Sequence, residues 1–181
     1  MRTLVALALL APMIVEAGVE ADCEKLFQQH LETDLSLSYQ EFDQTMGSGF
    51  RALAQAGCER RAADLIEAYI EATGAEQSSL RWHIAQLRAS HGDNAEAIRY
   101  ARASLRENED LSEHPLRWND YVLATIAFLE KNREALIDHR ERVAEGVDEH
   151  RGNAMNLRLL DAMIEHFGAS YSDAMQSLAN E

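Results

Sequence analysis

The chain has 181 residues, with 31 acidic side chains against 17 Lys and Arg, a formal net charge of −14. So acidic a chain is not built for nucleic acid or for anionic lipid headgroups, both of which reward clustered Lys and Arg. Its length, less a short leader, fits one domain with a sizeable core.

In chain order, residues 1–21 come first, MRTLVALALLAPMIVEAGVEA. Arg2 supplies a short positive start and Leu4 to Val15 an apolar run. That run suits a secretory signal and falls short of the roughly 18–20 apolar residues that span a bilayer. Small residues offer cleavage after Ala17 or after Ala21. The expectation is an exported protein, periplasmic or secreted, whose mature chain does not insert in a membrane. The alternative is an uncleaved first helix packed on the domain.

Residues 22–47 form an N-terminal helix, about 22–32, and a connecting segment. Cys23, Leu26, Phe27, His30 and Leu31 repeat at the spacing of one helix face. Cys58 begins a second such stripe with Ala62, Leu65, Ile66, Tyr69 and Ile70. Two cysteines pointing into one core of an exported protein predict a disulfide between Cys23 and Cys58. Two buried, unbonded thiols are the alternative. Ser38-x-x-Glu41 is a capping-box pattern for a short extra helix. In MGSGF, residues 46–50, the Lys and Ser/Thr that complete a phosphate-binding loop are missing. Ser48 is instead expected as a helix N-cap, with glycines allowing the sharp turn.

From residue 48 to 181 the apolar periodicity is helical throughout, and no run alternates as a strand would. The fold class is all-α. Breaks at Gly57, Gly92-Asp93, Lys131-Asn132, Gly146, Gly152-Asn153 and Gly168 divide the region into four helical hairpins. These cover about 48–56 with 58–73, 76–91 with 94–108, 114–130 with 133–146, and 152–167 with 170–179. Pro115 is expected just inside the start of its helix, where its missing N–H costs nothing. Trp118, Tyr121, Val122, Thr125, Phe128 and Leu129 make the strongest amphipathic stripe. Alanines recur after the breaks, at Ala62, Ala97, Ala135 and Ala174. A small residue there lets two helices of a hairpin cross closely.

The stretch GDNAEAIRYARASL, residues 92–105, with Gly92-Asp93 followed by Glu96-Ala97-Ile98, resembles the turn and second helix of a tetratricopeptide repeat. In the preceding helix Ile84 and Ala85 fit the family's apolar–small pair, while Arg88 stands where an aromatic is usual. The resemblance covers roughly residues 48–180 and implies a tetratricopeptide-like right-handed α-solenoid of about four helical hairpins with an N-terminal capping helix. It also implies that first helices line a concave groove. Arg51, Trp82, Gln86, Asn119 and Asp120 are the residues expected on that face, with packing between repeats as the alternative for Trp82.

The functional expectation is a non-catalytic scaffold that holds a protein or peptide in the groove. One alternative is a structural or self-assembling subunit, a homo-oligomer, whose groove is filled by its own N-terminal segment or by another copy. Residues 33–46 lying along the inner face would mark that case. The other is a helical enzyme acting on an envelope polymer. No cofactor is expected. The histidines His30, His83, His91, His114, His139, His150 and His166 include no HExxH pair, so no metal is expected either.

Overall fold

The structure is a computed structural model and describes residues 11–178. Arg2 and the first part of the expected leader, like the expected end of the last helix at residue 179, lie outside the described residues. Among those residues the chain is all-α: ten α-helices and one turn of 3₁₀-helix, with no strand.

Helix α1 runs Ala11–Thr33, through both expected cleavage positions, and leads into the 3₁₀ turn Asp34–Ser36 and the short α2, Tyr39–Asp43. The capping box is formed: Ser38 Oγ accepts from the Glu41 N–H, and the Glu41 carboxylate accepts from the Ser38 N–H at 3.0 Å. Helices α3 (Phe50–Gln55) and α4 (Glu59–Thr73) follow, then α5 (Ser78–His91) with α6 (Asn94–Ala103). Next come α7 (Trp118–Leu129) with α8 (Arg133–Glu145), and α9 (Arg151–Glu165) with α10 (Tyr171–Ser177). From α3 to α10 each helix packs on the next. Turn chemistry sets the boundaries. Gly92 ends α5 in the left-handed region at φ 91°, and the Asp93 side chain then caps α6 by accepting from the Glu96 N–H. Lys131 takes the equivalent left-handed position at φ 60°, and its ammonium donates to the Ala169 carbonyl at 2.8 Å.

Some expected boundaries move, among them that of α6, which ends at Ala103, short of the expected residue 108. The cap of α3 is Gly49, not Ser48: at φ 53° its backbone lies against Phe42, and a Cβ there would collide with the Phe42 carbonyl. Pro115 does not open a helix. Residues 104–117 form an irregular connection, and α7 begins only at Trp118. Side chains hold that connection in place of helical hydrogen bonds. The buried Asn153 accepts from the Arg117 N–H at 2.9 Å and donates to the Pro115 and Gly146 carbonyls, both at 2.8 Å. Asn119 grips Arg106 at both its N–H and its carbonyl, each at 2.9 Å. Three satisfied backbone groups around one buried amide explain why the helix is given up there.

The disulfide Cys23–Cys58 is formed, with the Cα atoms 5.4 Å apart. It ties α1 to the start of α4 inside a first core that holds Phe42, Phe50, Leu53, Leu65, Ile66 and Tyr69. Phe42 stacks on Tyr69 with ring centroids 3.8 Å apart. A second core gathers around α7, buried on nearly every side, with Val122, Phe128, Leu136, Val143, Leu160 and Met163. Helix α5 gives a face to each: Leu80, Ile84 and Leu87 to the first, Trp82, Ala85 and Ala89 to the second. Arg88 reaches from α5 to Asp64 and Glu67 on α4, both at 2.7 Å, an ion-paired clamp between the two helices. No helix among the described residues is long and apolar enough to cross a membrane.

Candidate functional site: the inner face of α5 and α7

All five residues expected on a groove are engaged inside the molecule. Trp82 is only 4 % exposed. Its ring meets Trp118 at 5.5 Å and Tyr121 at 5.1 Å, both edge to face, so packing between α5 and α7 is the geometry found. Gln86, one turn further along α5, lies beside the hydroxyl of Tyr171. Asn119 is spent on the Arg106 backbone. Asp120 turns toward α8, where His139 Nδ1 donates to it at 2.8 Å and Arg142 approaches at 3.5 Å. Arg51 donates to the Asp43 carbonyl and lies over the Phe50 ring at 5.0 Å. Each of the five therefore has a partner within the molecule, Trp82 buried and the other four partly exposed. The aromatic rings have a better partner than water.

That partner is α10. Tyr171 and Ala174 are buried in the same cluster as Trp82, Ala85, Ala89 and Tyr121, and α10 packs on α5 as well as on α9. Ser170 caps the helix, accepting from the Asp173 N–H at 3.1 Å. Burial pushes the Tyr171 phenol up to about 12, against a smaller pull from Gln86, and raises that of Tyr121 as well, so both rings are neutral at any physiological pH. The stripe Tyr171, Ala174, Met175 and Leu178 is a helical i, i+3, i+4, i+7 pattern legible in the sequence. Which helix it would meet was not legible.

The 33–46 segment also packs on α5, at its first two turns. The Tyr39 hydroxyl pairs with Ser79 Oγ at 2.8 Å, and Tyr69 of α4 donates to the Leu37 carbonyl at 3.0 Å. Asp43, with no exposed surface, accepts from His83 Nδ1 at 2.7 Å and from the Gln44 amide. Burial alone would push the Asp43 carboxyl up. The hydrogen bond and attraction of His83, with Tyr39 and Gln44, outweigh it and hold the group below the usual carboxylate range.

A depressed carboxyl binds fewer protons when folded than when unfolded, so its contribution is present above about pH 4 and lost as pH falls through its folded value. The expected result is that Asp43→Asn flattens the fall of unfolding free energy between about pH 5 and pH 2, as read from urea titrations across that range. An unchanged acid limb would remove Asp43 from the balance.

A depression of about 620 Å³ beside the 104–117 connection is lined by Arg106, Glu113, His114, Pro115, Leu116 and His150. His150 caps α9 by accepting from the Gly152 N–H at its Nδ1, so its other ring nitrogen carries the proton when the ring is neutral. These groups line an open surface and do not converge on one another. Among the described residues no group of three or more His, Cys, Asp or Glu side chains is arranged to hold a metal ion.

The chain matches no protein-family model, no curated protein and no solved structure.

Proposed function

We propose that this chain is an exported, non-catalytic structural subunit of the tetratricopeptide-like kind, a right-handed α-solenoid of about four helical hairpins capped by α1, whose inner face is filled by its own chain. It meets protein partners through its outer faces. The observation that carries this reading is the burial of Tyr171 and Ala174 against Trp82 and Tyr121. A helix seated in a groove by an i, i+3 pair of anchors is a common peptide-recognition mode, here made within one molecule. The Tyr39–Ser79 and Asp43–His83 bonds, at the other end of α5, support the same reading from the N-terminal side. Export is supported by the leader pattern of residues 1–21 and by the disulfide, which persists only in an oxidising compartment.

A scaffold that holds a peptide against Trp82 requires α10 to leave first. Native-state hydrogen exchange separates the two readings. For a filled face, the amides of 174–177 open with a free energy within about 2 kcal/mol of global unfolding. Exchange of those amides near the unprotected rate, with α7 still protected, would overturn the proposal and restore a groove open to a peptide.

A further inference from the structure

Among the described residues, one face of α9 is left uncovered. Helix α9 packs on α7, α8 and α10 on one side. Its other side presents Met155, 59 % exposed, with Leu159 beside it and Leu178 from the end of α10. Together these line a shallow depression of about 320 Å³ that continues past Arg158 into a second of about 170 Å³, floored by Ala162 and edged by Asp161 and Glu165. An apolar outer surface on a packed helical unit invites another unit to stack.

The charges on this face say what the next unit is. At 100° per residue, Arg151, Met155, Arg158, Ala162 and Glu165 share one strip of α9. Arg151 lies at its start and Arg158 at its midpoint, while Glu165 closes it and Asp161, held by Arg140 at 2.7 Å, stands between. Arg158 and Glu165 stand on the same edge, two turns or about 10 Å apart. Neither side chain is ion-paired among the described residues. A parallel neighbour would set like charges together. A second α9 related by a two-fold axis runs antiparallel, so it sets each Arg158 against the Glu165 of the other copy and places the axis beside Ala162, with Leu159 nearby and Asp161 already neutralised by Arg140. A patch complementary to itself in this way is the signature of an isologous interface.

We infer that the Met155–Leu159–Leu178 face is a homodimer interface, in which the α9 helices of two copies pair antiparallel and exchange Arg158–Glu165 contacts. This deepens the reading of the chain as a structural subunit by naming its partner as a second copy. It is tested apart from the filled inner face, which hydrogen exchange decides.

The experiment is sedimentation equilibrium of the oxidised chain without its leader, between about 5 and 200 μM. Wild type should show twice the monomer mass at the upper end. Arg158→Glu alone and Glu165→Arg alone each set like charges together twice, and each should sediment as a monomer, with at least a tenfold weaker association. Their equimolar mixture restores opposite charges at both contacts and should recover a heterodimer. Met155→Glu should be monomeric with either charge arrangement. Circular dichroism and melting of each variant keep loss of folding apart from loss of pairing.

A wild type that stays monomeric to 200 μM overturns the inference. So does a dimer indifferent to the single substitutions, or a mixture that fails to pair, since each shows that this antiparallel face is not the one used.

Discussion

Tyr171→Ala is expected to lower the unfolding free energy by about 4 kcal/mol, the cost of removing a large aromatic ring from a closed core. The ring has no room to be replaced by relaxation. It is buried among Trp82, Ala85, Ala89 and Tyr121, and its loss leaves a void between two helices whose own side chains are already in contact. For a chain of this size the melting temperature should fall by about 10 °C. Trp82 gives an independent readout, because with Tyr171 gone one side of its ring loses its packing partner and its emission changes. Ser172→Ala, on the outer side of the same helix, should change stability by less than about 0.5 kcal/mol and leave the emission alone. Equal melting of Tyr171→Ala and wild type would mean that α10 is not seated on α5, and the proposed function would lose its support.

The second large effect belongs to the disulfide. Closing a loop across a sequence separation of 35 should stabilise the fold by about 4 kcal/mol in the chain-entropy account. The pair Cys23→Ala with Cys58→Ala is the suitable comparison, since both cysteines are buried and serine would add an unpaired hydroxyl to that core. Guanidinium titration of the oxidised chain, the reduced chain and the double variant separates closure from packing. Reduced and double-variant proteins should unfold at similar, lower midpoints. A loss below about 1 kcal/mol would show that the unfolded chain already holds α1 near α4.

The elements were legible because their signals are local. The hairpin boundaries at Gly57, Gly92 and Lys131-Asn132, the Ser38–Glu41 capping box and the two cysteine stripes all depend on residues within a few positions of one another. Where the reading failed, a distant residue decided. Gly49 became the cap of α3 because Phe42 crosses it, and Pro115 fell outside the helix because Asn153, far along the chain, holds its carbonyl. The inner face shows the same division. Trp82 and Gln86, four residues apart, share a side of α5, which helix periodicity gives directly. That this side would be covered by Tyr171 depends on the path of the chain after Gly168, and no local pattern encodes a path. The contact of Asp120 with His139 was not legible for a related reason, since helix periodicity gives a direction around the axis but not which neighbour stands there.

Helix α5 belongs to both cores, and this governs how the molecule comes apart. A chain ending after His91 would contain the whole first core with its disulfide, yet it would present Trp82, Ala85 and Ala89 to water. A chain beginning after α5 would lack the wall on which Trp118, Tyr121 and Tyr171 rest. Neither half can be severed without stripping an apolar face of the other, so the two cores melt as one cooperative unit rather than as two stacked pieces. In that respect α5 acts less like a rung of a ladder, removable and repeatable, than like the party wall of two houses.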